Sequence, residues 1–238
     1  QSTRDNNFDN GIFKLLTELY PDNAHFIYEL LQNAEDSEAT TVSFILKEDR
    51  LEFSHDGRLF NEKDINGITS IGEGTKADDI NKIGKFGVGF KAVFTYTKTP
   101  QIFSGEYNFE VIDLVVPNEI KSIGQYAKTL MIFPFNSDIK SRELAFQEIK
   151  HGLEKLKDNT LLFLNSISKI EYSINNNKFA LYRNEINDVK VEITNTRNKK
   201  TTKWLRLKKY LPKSSKLFTS IAFKLTTDEK SKKDIIKP

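Results

Sequence analysis

A glycine-rich segment and an acid–amide pair are the parts of this 238-residue chain whose residue types and spacing could do chemistry. Residues 83–91 hold three glycines, whose missing side chains leave backbone N–H groups open to a chain of phosphates. Upstream, Glu29 and Asn33 are spaced so that a helix would present a proton acceptor and a metal ligand on one face. Neither pattern is specific alone, and together they predict ATP bound with a divalent ion.

The acid–amide pair belongs to a polar stripe on a predicted helix. Asp22 or Asn23 can cap this helix, which we expect to end near Asp36. The side-chain oxygen of Asn33 is a hard ligand suited to Mg²⁺, and Glu29 is placed to accept a proton from a water that attacks the terminal phosphate. Asp36 lies one turn further along and is assigned to the nucleotide site as well. The same stripe is also explained as the ordinary solvent face of an amphipathic helix.

A further acidic residue follows a predicted strand that ends at Phe53. Asp56 and Gly57 could simply form a turn, which is the commoner meaning of an Asp-Gly pair. Alternatively, Asp56 at a strand end could accept a hydrogen bond from the exocyclic amine of adenine. Such a contact would select adenine over guanine, because guanine has a carbonyl group at that position.

The residues before the glycine-rich segment, and those within it, complete the predicted phosphate site. Gly74, Thr75 and Lys76 could form a lid, with glycine for hinge freedom and with a hydroxyl and an amine for phosphate oxygens. The glycine-rich segment, residues 83–91, is neither a Walker A motif nor a dinucleotide fingerprint. No Gly-Lys-Ser/Thr closes it, and no β-α-β unit with a distal acid surrounds it. The predicted phosphate contacts within it are Gly84, Phe86, Gly87, Val88, Gly89 and Phe90.

These motifs, followed by Lys128 and Thr129, occur in the order seen in the GHKL superfamily of ATPases, which includes gyrase, heat-shock-90 chaperones, histidine kinases and mismatch-repair ATPases. The glycine-rich segment resembles those of the heat-shock-90 and sacsin-like branches. Residues 99–105 further resemble bacterial proteins with a sacsin-type N-terminal ATPase domain. The resemblance covers residues 8–135 well and extends more faintly beyond them.

The resemblance implies the Bergerat fold, an α+β fold in which helices form an α/β sandwich over a mixed, largely antiparallel sheet, with ATP beneath a flexible lid. Carried over by position, Glu29 would be the general base, Asn33 the Mg²⁺ ligand, Asp56 the adenine contact and Thr129 a support near the adenine. One departure affects the adenine contact. Many relatives place the acid two residues before the glycine, where this chain has His55. Either a one-residue adjustment restores the contact, or His55 and a water take its place.

The spacing of apolar residues predicts helices that give way to a run of strands. We expect an ATP-binding domain over residues 1–140, followed by a helix and a β-rich extension over residues 141–238. We expect the extension to pack on the same sheet and to continue in a longer protein. Predicted helices cover residues 8–20, 22–36 and 141–156, and predicted strands cover residues 42–46, 51–53, 101–103, 107–116, 129–135, 170–174, 178–183, 189–194 and 204–207.

Composition and charge indicate whether the chain is soluble and what it could contact. The chain has no cysteine, a mean hydropathy of −0.50 and no apolar run as long as a membrane-spanning helix, which favours a soluble cytoplasmic protein without membrane contact. Charge is distributed unevenly, because the fourteen basic and three acidic residues of the segment 197–238 give it a balance of +11. This segment could contact nucleic acid, although a solvated lysine-rich face is the favoured explanation, because no aromatic stacking or groove motif accompanies the charge.

Taken together, the sequence predicts an ATP-binding module that hydrolyses ATP slowly with Mg²⁺. Lid closure or nucleotide-dependent homodimerisation would then control further domains of a larger chaperone-like or defence-type protein. Two alternatives stay open at this point. One is a regulatory module that binds ATP or ADP without hydrolysis, and the other is an ATP-switched nucleic-acid-binding protein that uses the basic C-terminal segment.

Overall fold

The computed structural model describes residues 25–69, 88–121, 124, 126–210, 218–228 and 230–236. Its helices are α1 (Phe26–Asp36), α2 (Glu62–Thr69), α3 (Val88–Lys91), α4 (Arg142–Glu154) and α5 (Asp158–Leu162), with a 3₁₀ turn at Ala92–Thr95. Its strands are β1 (Thr41–Leu46), β2 (Arg50–His55), β3 (Gln101–Gly105), β4 (Tyr107–Ile112), β5 (Val116–Glu119), β6 (Tyr126–Pro134), β7 (Lys169–Ile174), β8 (Asn177–Glu185), β9 (Lys190–Asn195), β10 (Lys200–Tyr210), β11 (Phe218–Thr227) and β12 (Asp234–Ile236).

The twelve strands form one sheet, in the order β12-β11-β10-β9-β8-β7-β1-β2-β6-β3-β4-β5. β1 and β7 run parallel, and they join the strands before residue 140 to those after it. The other neighbouring pairs of the described sheet are antiparallel. At one edge lies β5, whose Pro117 has no N–H to offer a further strand.

One face of the sheet carries the described helices and the core. Residues on β1, β2, β6 and β7 alternate between buried and partly exposed, as period-two side chains on a half-covered sheet must. Phe133 on β6 packs against Phe26 of α1 and Phe90 of α3, with ring centroids 6.2 Å and 6.4 Å apart. Helix α1 and the end of the glycine-rich segment, at Phe90, therefore meet over the centre of the sheet.

The predicted fold class is wrong. The structure is β-rich, with 44% of the described residues in strands and 24% in helices, rather than an α/β sandwich of helices over a sheet. The reason is that strands β7–β12 extend the sheet far beyond the few short helices that cover it. Several individual elements were predicted correctly, among them α1, α4 and strands β1 and β2. The helix predicted over residues 8–20 lies outside the described residues.

Within the part of the chain that the structure describes, no helix is both long enough and apolar enough to cross a membrane.

Candidate functional site

Helix α1 positions the predicted general base and metal ligand. Its apolar stripe is buried against the sheet and consists of Phe26, Ile27, Leu30, Leu31 and Ala34. Glu29 and Asn33 stand four residues apart beside that stripe, so their side chains leave the helix on one side. The structure therefore brings the predicted acid–amide pair together.

Asn33 differs from an ordinary solvent-face residue because it is only 7% exposed. None of the described residues hydrogen-bonds its side-chain amide, although its backbone carbonyl accepts a hydrogen bond from the Ser37 hydroxyl at 2.9 Å. The amide atoms are not among the buried side-chain atoms that lack a partner, so the amide can be reached from outside the helix although most of the residue is covered.

Glu29 lies directly against the backbone of Gly89. A Cβ built on Gly89 would overlap the Glu29 carboxylate and would reach its Cγ at 3.0 Å. A side chain on residue 89 would therefore force the Glu29 carboxylate to leave its present position. On its other side, Glu29 Oε1 is 3.7 Å from Nε2 of His25. The structure thus places the predicted proton acceptor next to the last glycine of the predicted phosphate segment.

The remaining residues of that segment are divided between core and undescribed positions. Phe90 is buried in the core, where its ring packs edge-on against Phe94. Val88 begins α3. The other predicted contacts, Gly74, Thr75, Lys76, Gly84, Phe86 and Gly87, lie outside the described residues, so their assignment stays a prediction.

Asp56 is held by hydrogen bonds at the start of β1. Its Oδ1 accepts from the backbone N–H groups of Thr40 and Thr41, both at 2.8 Å, and its Oδ2 accepts from the Thr40 hydroxyl at 2.7 Å. Burial raises the pKa of this carboxyl group, but the hydrogen bonds from Thr41 and Thr40 outweigh it and the pKa is lowered overall. The adenine contact assigned to Asp56 stays a prediction, while its observed contacts are with the backbone.

His55, the last residue of β2, is buried beside Thr129. The two residues are paired across β2 and β6, and they are 3% and 0% exposed. The Thr129 hydroxyl is 2.7 Å from the Ser104 hydroxyl, which also accepts the Phe60 N–H at 2.9 Å. Burial lowers the pKa of His55 to about 4, so its imidazole is neutral at physiological pH.

The end of β2 is tied to the end of α1. A Cβ on Gly57 would stand 2.5 Å from the Ser37 carbonyl oxygen and 2.9 Å from the Ala39 nitrogen, so this glycine is needed for close approach. Arg58 adds a backbone hydrogen bond to the Ser37 carbonyl at 2.7 Å. Since Ser37 lies one turn after Asn33, the buried histidine and the buried asparagine belong to one region.

The structure also shows two positioning residues that the sequence analysis missed. Glu35, next to Asp36 on α1, accepts backbone N–H groups of Asn165, Ser166 and Ile167 at 2.6–3.0 Å. Through these contacts it fixes α1 to the turn before β7. Asp36 itself is partly buried.

The second missed residue is Lys91, which is 5% exposed. Its ammonium group donates to the carbonyl oxygens of Ile68 and Leu114, and burial lowers its pKa to about 8. Lys91 thereby joins α2 and the turn after β4 to α3. The signal in the sequence was a single lysine within the otherwise uncharged run from Val88 to Phe94.

Two arginines of the β-rich extension point inward. Arg183 donates to the carbonyl oxygens of Leu161, Leu164 and Asn165, and Nη2 of Arg206 contacts both carboxylate oxygens of Glu185, at 2.6 and 2.8 Å. Burial lowers the pKa of Arg183. Arg206, which belongs to the basic segment 197–238, is therefore internal to the fold rather than presented to a polyanion.

No group of three or more histidine, cysteine, aspartate or glutamate side chains in the described ranges could hold a metal ion. The predicted site does not need such a group. Mg²⁺ commonly takes one or two protein ligands, and phosphate oxygens and waters supply the rest. A buried, unpartnered asparagine next to a glutamate fits that ligand set.

Comparison with known proteins supports the sacsin-like part of the resemblance. Residues 51–127 match the family described as Sacsin domain. The chain is 28% identical to Protein NO VEIN of Arabidopsis thaliana over 186 residues, covering 66% of this chain and 7% of that protein. It is 34% identical to Sacsin of Homo sapiens over 104 residues, covering 37% of this chain and 2% of that protein. The chain thus spans only a small part of the length of these relatives.

Among solved structures, the N-terminal domain of a DNA repair protein aligns with a TM-score of 0.46 and 10% identity. The alignment covers 68% of this chain and 52% of that chain. This likeness is too low to carry an argument about fold or function.

Proposed function

We propose that this chain is an ATP-binding module, related to the GHKL ATPases, that hydrolyses ATP slowly with Mg²⁺. The observation that carries the proposal is the contact between Glu29 and Gly89. It joins the candidate general base of α1 to the end of the glycine-rich segment, at a position where any larger side chain would collide with the carboxylate. Two patterns that were separate in the sequence are therefore adjacent in space.

Asn33 supports the metal part of the proposal. The residue is 7% exposed, none of the described residues hydrogen-bonds its amide, and it lies one helical turn from Glu29. An asparagine oxygen in that position could complete the coordination of a Mg²⁺ ion held by phosphate oxygens. The ion would supply positive charge against the phosphates during transfer of the terminal phosphoryl group.

Glu29 would act on the attacking water. Its side chain is 18% exposed, so the carboxylate is sheltered while it stays accessible from the side of the helix. In this position it would accept a proton from a water aimed at the terminal phosphate. Backbone N–H groups near Gly89 would stabilise charge on the phosphate oxygens.

The module would work within a longer protein. The relatives that it matches are many times longer than the aligned segment, and sacsin-like similarity is what the comparisons support. Glu35 offers a route by which nucleotide binding at α1 would reach the β-rich extension, because it contacts the turn that leads into β7. Control of further domains, through closure or through homodimerisation, is part of the proposal.

Calorimetric titration with ATP and with a non-hydrolysable analogue, with and without Mg²⁺, tests binding. Phosphate release tests turnover. We expect Glu29→Gln to bind ATP with unchanged affinity and to lose hydrolysis, because the amide keeps the shape of the carboxylate but cannot take the proton. We expect Asn33→Ala to lose the Mg²⁺ dependence of binding.

Glu48→Gln in the exposed turn between β1 and β2 is the matched control and should behave as wild type. Absence of nucleotide binding by the folded wild-type chain would refute the proposal. Binding with unchanged phosphate release in Glu29→Gln would remove Glu29 from the role of general base. Binding without hydrolysis by the wild type, including in the full-length protein, would leave a regulatory ATP-binding module.

A further inference from the structure

His55, at the end of β2, keeps one ring edge that none of the described residues occupies. The residue as a whole is 3% exposed, and no described residue accepts a hydrogen bond from its Nε2. Its neighbours on this face are the Phe53 ring, 5.9 Å away between centroids, and the cross-strand partner Thr129. Nε2 is not among the buried atoms that lack a partner, so this edge of the ring can be reached by water or by a ligand.

The tautomer of His55 follows from its one observed hydrogen bond. Nδ1 accepts the backbone N–H of Gly57 at 3.3 Å, so Nδ1 carries no proton. A neutral imidazole with an unprotonated Nδ1 carries its proton on Nε2. The free edge of His55 is therefore a donor, whereas a carboxylate at the same position would be an acceptor.

The neighbouring acid, Asp56, does not change the donor character of the His55 edge. Both carboxylate oxygens of Asp56 accept hydrogen bonds from Thr40 and Thr41. Thr129 can adapt to a ligand, because either its own hydroxyl or that of Ser104 is the donor in their mutual hydrogen bond. His55 is thus the residue at this end of β2 that can offer a ligand only a hydrogen-bond donor.

The position also fits the nucleotide site proposed above. Gly57, whose N–H fixes the ring, packs against Ser37, and the Ser37 hydroxyl donates to the carbonyl of Asn33. The donor edge thus lies in the region of the candidate metal ligand, at the end of the strand where the base of a bound nucleotide was expected.

We propose, on the basis of the function proposed above, that the base subsite is read by the Nε2–H of His55 and therefore accepts 6-oxopurine nucleotides as well as ATP. A donor at this position can bind a ring nitrogen of adenine, and it can bind the O6 carbonyl of hypoxanthine or guanine. A carboxylate would instead accept from the amine of adenine and reject the carbonyl. This chain lacks the element that makes a purine site selective for adenine.

Inosine triphosphate is the sharpest probe, because hypoxanthine differs from adenine at position 6 and at the proton on N1 and adds no 2-amino group. Calorimetric titration of the wild-type chain with ATP and with inosine triphosphate gives the ratio of the two dissociation constants. We expect inosine triphosphate to bind less than about tenfold more weakly than ATP, or more tightly. An ATP preference of tenfold or more would overturn the inference and leave the proposed function standing. Absence of binding by both nucleotides would refute the proposed function, and this inference with it.

Variants test whether His55 sets the ratio. His55→Asp introduces an acceptor and should shift the ratio towards ATP by about tenfold or more, and an unchanged ratio would overturn the inference. Circular dichroism checks that this variant folds. If it does not, His55→Asn serves instead, because its amide oxygen can still accept the Gly57 N–H while the Nε2–H is lost. Inosine triphosphate should then bind about tenfold more weakly, and unchanged affinity would overturn the inference.

Asp56→Asn distinguishes between the two candidate base-reading residues. It should leave the ratio of the two affinities unchanged, since this side chain contacts Thr40 and Thr41. A ratio that moves in Asp56→Asn but not in the His55 variants would assign base reading to Asp56 and overturn the inference.

Discussion

The buried imidazole of His55 makes stability depend on pH in a window where few other groups titrate. Burial lowers its pKa from 6.5 to about 4. Between these values the unfolded chain binds a proton that the folded chain does not bind. The free energy of unfolding therefore falls as the pH falls from 6.5 to 4, and above 6.5 the group contributes no pH dependence.

The size of the effect follows from the two pKa values. Linkage gives a slope of up to about 1.4 kcal/mol per pH unit within the window. From pH 7 to pH 5, above the ordinary range of carboxyl groups, His55 should account for a loss of about 2 kcal/mol. His55→Asn keeps an acceptor for the Gly57 N–H but cannot titrate, so it should lack this part of the pH dependence.

Urea denaturation of the wild type and of His55→Asn at pH 7, 6 and 5, followed by circular dichroism, measures the difference. The other two histidines are present in both proteins, so their contribution cancels. The difference in free energy of unfolding between the two proteins should shift by about 2 kcal/mol across this range. Parallel curves would show that His55 is not buried as a neutral imidazole, and the tautomer argument for its free donor edge would fail as well.

Three further substitutions test the contacts described above. Gly89→Ala should change the free energy of unfolding by less than about 1 kcal/mol, because the flexible Glu29 side chain can turn away from the new Cβ and alanine favours the helix, but by displacing the carboxylate it should lower phosphate release. Arg183→Met should cost about 3–5 kcal/mol in urea denaturation, since three carbonyl oxygens lose a buried charged donor. Asp56→Ala should cost about 1–3 kcal/mol by the same measurement, because the start of β1 loses its acceptor, and a variant as stable as wild type would contradict the observed hydrogen bonds.

Local patterns in the sequence predicted the elements that carry the candidate site. The apolar spacing of α1 predicted a helix that presents Glu29 and Asn33 together, and residues 42–46 were predicted as the strand that the structure shows as β1. Both signals arise from neighbours along the chain, which is why they could be read without knowledge of the fold. The sacsin-like similarity was also predicted, on the motifs between residues 51 and 127.

The overall architecture depended on contacts that no local pattern encodes. Pairing of β1 with β7 joins residues 41–46 to residues 169–174, and this pairing continues the sheet into the β-rich extension. The resemblance led to an expectation of helices over a sheet, whereas the length of β10 and β11 gives the structure its β-rich character.

Side-chain roles were hardest to predict where a polar side chain forms hydrogen bonds with the backbone. Asp56 has the residue type of a base-reading acid and lies one residue from its usual position, yet its Oδ1 accepts two N–H groups at the start of β1. From composition alone, Lys91 and Arg183 would be taken for charged surface residues. In the structure, both donate hydrogen bonds to buried carbonyl oxygens. Such partners become visible only when distant segments are folded together.

The parallel join between β1 and β7 has a consequence for synthesis on the ribosome. β1 pairs with β2 as soon as the first hairpin has emerged, but its other edge stays open until residue 174 has been made. During that interval the nascent chain exposes a row of unpaired N–H and C=O groups, and Glu35 lacks the turn that it later holds. Any fragment that ends before β7 therefore keeps β1 as an unpaired strand edge, at a position that lies inside the sheet of the complete fold. Such a fragment is prone to self-association.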